Sequence, residues 1–530
     1  MSAQQFDVVI VGAGFAGMYL LHRLRPMGLS VRVVEAGTDV GGTWYWNRYP
    51  GARVDIESMQ YSYQFDEALQ QEWQWTERYA PQPELLNYAQ HVSERFDLRR
   101  DIQFETRIAK ASYDEGAARW ALEAEDGTSF DARFVVMATG CLSKPNWPHI
   151  EGVRDFAGPT YHTAIWPHEK IDFTGQRVAV IGTGSSGIQS IPVIAEEAAQ
   201  LYVFQRTPNY AIPAHNAPLD KEYEGWVKSH YAEFRAQAKQ TPPGIHGRFR
   251  VGKAVEATPE ELEAEYEERW AAGGLSFMGA YGDLMLSQEA NDTVAEFVRG
   301  KIRELVDDPE TAELLCPNNI IGGKRLCVDS NYYATYNKPT VHLIDVADDP
   351  IEAVTANAIR AHGKDYEIDA LVVATGFDAM TGALTAVDIR GKEDASLRDR
   401  WADGPISYLG LAMADFPNLF TVTGPGSPSV FTNMIPTIEQ HVDWITDCLA
   451  YMQDRNYTAI EAEHEAERAW WQHNQDVAKV GVKTTTDSWY LGANVHGKAR
   501  VFMPYYGGFP EYCRKCEEVV ADGYAGFAFG

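Results

Sequence analysis

One local pattern occurs twice in this chain of 530 residues and limits what it can fold into. FDVVIVGAGFAGMYLLHRL sets an apolar run, Gly12, Gly14 and Gly17 at G-x-G-x-x-G spacing, and a segment of helical period in direct succession. QRVAVIGTGSSGIQSIPVIA repeats the succession with Gly182, Gly184, Ser185 and Gly187. A glycine-rich turn between strand and helix lets the backbone approach a pyrophosphate, whose charge rests against the helix N-terminus. The spacing alone is weak, because such turns also occur for structural reasons. The first copy gains support from SVRVVEAG, a second strand ending in Glu35, which stands 23 residues after Gly12 where a ribose-binding acid is expected.

In the second copy the residue 23 after Gly182 is Gln205, followed by Arg206 and Thr207. The acid is missing and a cation stands beside its place, which favours a 2′-phosphate and hence NADP over NAD. Each half also closes on a strand and Ala-Thr-Gly, in ARFVVMATG up to Gly140 and in LVVATGFD up to Asp378. The expected fold is α/β, with two Rossmann-like dinucleotide-binding domains in one chain. The first occupies 1–147 and returns at 386–530; the second occupies 148–218 and 330–385. Between the parts of the second lies a helical insertion at 219–329, where EGWVKSHYAEFRAQAKQ and NDTVAEFVRGKIRELVDD have helical period. Thr258-Pro259-Glu260-Glu261 carries the cap, proline and glutamate of a helix start.

Composition excludes several classes. A formal net charge of −29 with no Lys/Arg run argues against nucleic acid and anionic membranes as partners. No run of about 18 apolar residues and no signal segment is visible, so a soluble protein is expected. Six scattered cysteines fit a reducing compartment and a cytoplasmic location. Cys513 and Cys516 form a lone C-x-x-C without a second pair, so no metal site is expected. His464 and His473 lie on a charged helical stretch and are expected to be solvated.

Two longer motifs identify a family. GGTWYWNRYPGARVDIES, from Gly41 to Ser58, matches Gly-Gly-x-Trp, four residues, Tyr-Pro-Gly, three residues and Asp. FAGPTYHTAIWP matches F-x-G-x-x-x-H-x-x-x-W-[PD] through Phe156, Gly158, His162, Trp166 and Pro167. Both patterns resemble those of type I Baeyer–Villiger monooxygenases, and GGKRLCVDSNYY and SWYLGANVHGKARVFMPYYGG extend the likeness almost to the C-terminus. GPGSPSVFTNM is closer to phenylacetone- and steroid-type members than to cyclohexanone-type ones.

The resemblance implies FAD in the first fold, NADP(H) in the second, and a ketone and O₂ as substrates. NADPH would reduce FAD, O₂ would add at flavin C4a, and the peroxide anion would attack the ketone to give an ester or lactone. Aryl, cyclic or bulky ketones are expected. In that comparison Arg325 is the catalytic cation and Asp55 the carboxylate that holds it. Lys324 joins Arg206 and Thr207 at the 2′-phosphate, which one basic pair could serve alongside the flavin if the segment is extended. Gly42, Thr43, Trp44 and Tyr49 fall in the cofactor-binding motif. Trp489 belongs to a mobile loop near 484–505 that folds over the nicotinamide ribose. Met434, Ser427 and Ser429 border the substrate pocket. Phe156, Gly158, His162 and Trp166 dock the crossing between domains, with His162 as a positioning residue and not a general base. The oligomeric state stays open, a monomer included.

Two other flavoprotein classes compete. A heteroatom (N or S) oxygenase shares the folds but usually ends its fingerprint in another aromatic residue; a disulfide reductase needs a cysteine pair near the first turn, which is missing. A non-catalytic nucleotide-binding protein is the remaining alternative.

Overall fold

The computed structural model describes residues 3–530. The first nucleotide fold is built on an eight-stranded sheet in which the opening strand Gln4–Val11 lies between Ser129–Met137 and Val31–Val34, parallel to both. Val8, Val9 and Ile10 are fully buried because helices or strands cover both faces, which explains an unbroken apolar run instead of alternation. The return segment contributes two strands: Asp388–Arg390 pairs with Ile108–Asp114, and Leu419–Thr421 with Ser129–Met137. Its helix Met434–Arg455 packs on the glycine-turn helix Phe15–Leu24.

The second fold has a five-stranded parallel sheet in the order Val341–Asp345, Gln200–Gln205, Arg177–Ile181, Ala370–Val373, Thr160–His162. The last of these lies inside FAGPTYHTAIWP. Three of its twelve residues form an edge strand, with His162 opposite Val373, followed by a short 3-10 turn at Thr163–Ile165. The crossing chain runs just before it.

Between Arg177–Gln205 and Val341–Asp345 stand helices Lys221–Ser229, Tyr231–Lys239, Pro259–Ala272, Gln288–Leu305 and Pro309–Leu315. His230 divides the first helical stretch in two. Thr258 accepts from the Glu261 N–H while the Glu261 carboxylate accepts from the Thr258 N–H, the reciprocal cap its sequence predicts. No helix of the described residues is long and apolar enough to cross a membrane. Cys513 and Cys516 lie on helix Phe509–Ala521 as free thiols. Of the two histidines expected to be solvated, His464 is exposed beside Asp415, but His473 is partly buried against Trp470 and Tyr505.

Candidate active site

Both glycine turns are sterically obligatory. Gly12 and Gly182 have φ of +108° and +107°, and a Cβ on either would stand 2.6 Å from the carbonyl oxygen of Ala138 or Ala374. Those alanines open the two Ala-Thr-Gly phrases, so each phrase is the wall against which a turn is pressed. A Cβ on Gly17 or Gly187 would meet the carbonyl of Gly12 or Gly182 at 1.9 or 2.3 Å. Helices Phe15–Leu24 and Ser185–Glu197 both start from a glycine N-cap with no side-chain cap, which leaves their first N–H groups for an anion.

The strand ends differ. The Glu35 carboxylate accepts from the N–H groups of Ala13 and Gly37, both at 2.7 Å, and burial raises its pKa against the pull of those bonds. Beside it a cleft of about 380 Å³ is lined by Ala36, Gly37, Thr38, Tyr45, Trp46 and Arg107, among others. Gln205 is buried and donates to the Leu314 carbonyl at 2.7 Å, while Arg206 is exposed. Thr207 is anchored through its carbonyl, which accepts from Thr183 Oγ1 at 3.0 Å. Lys324 is partly buried; desolvation, then Arg206, lowers its pKa to about 8, while Asp487 of the 484–505 loop pulls the other way.

The segment after the first turn reaches across to the second fold. Gly42 packs on Gly14, with a Cβ on Gly42 only 2.9 Å from the Gly14 Cα. Thr43 is exposed at the start of the short helix Thr43–Trp46, and Trp44 is buried with its indole N–H toward Tyr61 Oη. Tyr49 donates to Gln189 Oε1 at 2.8 Å, and Gly51 lies so close to the Gln189 carbonyl that a Cβ would be 2.2 Å away. Pressed on helix Ser185–Glu197, this segment then presents Asp55.

Asp55 and Arg325 form a bidentate pair, with Nε and Nη2 donating to the two carboxylate oxygens at 2.9 Å each. The third direction of the guanidinium is taken by the Val430 carbonyl, which accepts from Nη1 at 2.6 Å. Burial would lower the Arg325 pKa, but Asp55 more than offsets it and holds the pKa above its ordinary value. Lys324 and Arg325 stand just before the strand Cys327–Asp329 and are not part of it. They diverge, Lys324 toward Arg206 and Arg325 toward Asp55. Ser185 Oγ lies 3.3 Å from Cys327 Sγ, two residues beyond Arg325.

Two chain crossings lie together at this junction. Asn146 N–H donates to the Gly376 carbonyl and Asp378 N–H to the Lys144 carbonyl, both at 2.9 Å. The Asn146 carbonyl accepts from Thr375 Oγ1 at 2.5 Å and from His162 Nε2 at 3.3 Å. His162 Nδ1 accepts from the Ala164 N–H, so Nε2 carries the proton, and burial lowers the pKa and keeps the ring neutral. Phe156 and Trp166 are buried in separate hydrophobic clusters of the second fold, and Gly158 lies where a Cβ would be 2.8 Å from the Asp369 carbonyl.

The 484–505 loop rests on the same crossing. Asn494 accepts through its carbonyl from Asn146 Nδ2 and donates to the Phe377 carbonyl, while Lys498 donates to Asp378 and to the Ala379 carbonyl. No sequence motif pointed to these contacts. Trp489 packs on Tyr490 with ring centroids 4.1 Å apart, and both Trp489 and Met434 lie against a hydrophobic cluster that contains Cys141, Met380, Val430 and Phe502. Ser429 is buried, its hydroxyl facing Cys141 and Met380 sulfurs. Ser427, expected at the border of the substrate pocket, is fully buried and donates to the Gly424 carbonyl at 2.7 Å, closing its own turn.

Residues 6–264 match the family model described as pyridine nucleotide-disulphide oxidoreductase. A solved structure of oxidized steroid monooxygenase bound to NADP is 49% identical, with a TM-score of 0.94 and 99% of each chain covered. A phenazine N-monooxygenase of Lysobacter antibioticus is 39% identical over 98% of this chain and 96% of its own length. A Baeyer–Villiger monooxygenase of Pseudooceanicola batsensis is 40% identical over 98% of this chain and 95% of its own. With two Rossmann-like folds, both long motifs and full-length identity of this order, the chain is a flavin-dependent monooxygenase and belongs to the Baeyer–Villiger monooxygenase family.

Proposed function

We propose that the protein inserts one oxygen atom of O₂ beside the carbonyl of a ketone, aryl or bulky cyclic ketones first, to give an ester or lactone and water. The observation that carries this reading is the bidentate Asp55–Arg325 pair where the two nucleotide folds meet. FAD fits the first turn and the cleft beside Glu35, and NADPH fits the second turn with Arg206, Thr207 and Lys324. Bound there, the flavin supplies O₂ activation and NADPH the two electrons that the reaction consumes.

The chain's own residues orient and stabilise charge. Arg325 provides a permanent cation that keeps a nucleophilic oxygen unprotonated and then faces the oxyanion of the attacked carbonyl. Asp55 fixes the guanidinium plane, and the Val430 carbonyl fixes its edge. Asn494 and Lys498 hold the 484–505 loop down, which excludes water from the junction and places Trp489 over it. His162 steadies the crossing through its bonds to the Asn146 carbonyl and the Ala164 N–H, and burial lowers its pKa. The Met434 cluster borders the substrate; Ser429 contributes bulk there and Ser427 shapes the turn from behind.

The likeness to a phenazine N-monooxygenase favours heteroatom oxygenation as a second reading. Incubation with NADPH, ¹⁸O₂ and an aryl ketone, with a competing amine and sulfide, separates the two. The expected product is an ester carrying one heavy atom in its bridging oxygen. Amine or sulfide oxidation with the ketone untouched would replace the first reading by the second.

A further inference from the structure

Lys483 is a cation that neither the motifs nor the mechanism above uses. It opens the short 3-10 turn Lys483–Thr485 at the root of the 484–505 loop. Its Nζ lies 4.0 Å from the ring centroid of Phe431, 5.2 Å from that of Tyr506 and 5.6 Å from that of Tyr490. Phe431 follows Val430, whose carbonyl holds Arg325, and all three rings belong to the cluster that includes Met434. The ammonium is therefore held by aromatic faces at the substrate end of the site.

Its surroundings lack a counter-charge. No carboxylate of the described residues pairs with Lys483, and its one resolved charged influence is the like charge of Arg325. Asp55 is committed to Arg325 through both oxygens. The other titratable groups facing the cage are Tyr490 and Tyr506, whose phenols burial raises, Tyr506 to about 12, so they stay neutral. Burial first, then Arg325, lowers the Lys483 pKa to about 7. Lys483 is partly buried and its ammonium makes no hydrogen bond to a described residue, so its donors are open to an anion that enters the site.

We propose that Lys483 is a specificity-determining residue that pairs with a carboxylate carried by the ketone, so that keto acids are preferred over neutral ketones of the same shape. This rests on the ketone-oxygenating reading above. Aromatic faces stabilise the ammonium without supplying an oxygen or nitrogen acceptor, which leaves it able to donate to an anion. The preference is largest below neutral pH, where Lys483 is charged and a carboxylate is already ionised, and it shrinks as pH rises through the lysine's titration.

The test compares 4-oxo-4-phenylbutanoate with its primary amide, which has the same shape and no charge, in the flavin-loaded enzyme at pH 6. The acid is expected to exceed the amide at least tenfold in kcat/KM, mainly through KM. Lys483→Met should bring that ratio to about one, Lys483→Arg should keep most of it, and raising the pH to 8.5 should reduce it in the wild type alone. A wild-type ratio near one, with the amide oxidised, overturns the proposal and leaves the reaction assignment intact. An unchanged ratio in Lys483→Met also overturns it, assigning the cage to loop packing, or to the cofactor if the NADPH KM rises. Failure on acid and amide alike, with amines or sulfides oxidised, removes both readings.

Discussion

The two glycine turns share topology, spacing and the pressure of an Ala-Thr-Gly phrase, yet they differ at the middle glycine. Gly14 is half-buried, and a Cβ there would already touch the Gly42 Cα at 3.4 Å. Gly184 is exposed, and a Cβ there would find no atom within 4 Å. After the strands, Glu35 turns inward onto its own turn, whereas Gln205 turns away and Arg206 points to solvent. The first turn is covered by a second chain segment, whereas the second leaves an open rim that carries an exposed arginine. That contrast suits a flavin that stays and a nicotinamide nucleotide that must arrive and leave in every turnover.

The sharpest way to break the contrast is to add one methyl group to each turn. In Gly17→Ala the new carbon would lie 1.9 Å from the Gly12 carbonyl, a backbone atom that cannot yield without opening the turn. The variant is expected to purify without flavin colour, or not to accumulate. Gly184→Ala meets nothing in the protein and should fold, remain yellow and raise the NADPH KM about tenfold, because the methyl stands where a pyrophosphate approaches. Flavin-to-protein ratios and NADPH kinetics read both; flavin loss in Gly184→Ala would erase the distinction.

Arg325 lies between the two folds and tests whether the junction belongs to chemistry or to assembly. Removing it leaves Asp55 without its partner and takes away three charge-assisted bonds, two to Asp55 and one to the Val430 carbonyl, of about 1.5–3 kcal/mol each. Arg325→Ala is expected to keep its flavin and its reduction by NADPH while ester formation falls at least a hundredfold. Arg325→Lys should recover only part of that, because an ammonium cannot reproduce the bidentate geometry. Ester produced at the wild-type rate by Arg325→Ala would make the pair a structural tie. Product mass and NADPH consumption, measured together, decide it.

These contrasts were unequally legible in the sequence. The glycines, Glu35 and the Asp55–Arg325 pair were visible because each sits at a fixed offset inside a motif whose residue types the geometry requires. The strand Thr160–His162 was not: three residues at a sheet edge carry too little periodicity, and their register comes from Val373, more than two hundred residues later. The docking of Asn494 and Lys498 on the crossed linkers joins residues more than a hundred positions apart, mostly through backbone carbonyls, with Lys498–Asp378 as the one ion pair. The bond by which Ser427 closes its own turn onto Gly424 is likewise invisible in residue type. The Lys483 cage joins Tyr490 and Tyr506 from the same part of the chain to Phe431, about fifty residues earlier, each ordinary alone.

The smallest expected effect concerns the open rim and gives the finest comparison between nucleotides that differ by one phosphate. Arg206→Ala and Lys324→Ala should each raise the NADPH KM about tenfold and leave that of NADH nearly unchanged, since a single charge-assisted contact to the 2′-phosphate is lost. Lys324 adds a pH signature that Arg206 cannot. With its pKa lowered to about 8, the free protein holds this ammonium charged below pH 8 and loses it above, while the phosphate ester, ionising near pH 6, stays a dianion throughout. Binding the dianion requires the charged lysine, so the NADPH KM should rise about fourfold between pH 7 and 8.5, as protonation becomes part of the binding step. The NADH KM should stay flat over the same range. The linked stability has the opposite slope: the folded protein bears the strain of the buried ammonium below pH 8 and is relieved of it as pH climbs toward the unfolded pKa near 10.4. In Lys324→Met the NADPH slope should vanish while the Arg206 contribution remains. A slope that persists in Lys324→Met, or that appears equally with NADH, would move the titrating group away from the 2′-phosphate and leave Arg206 as the single discriminating cation of the second fold.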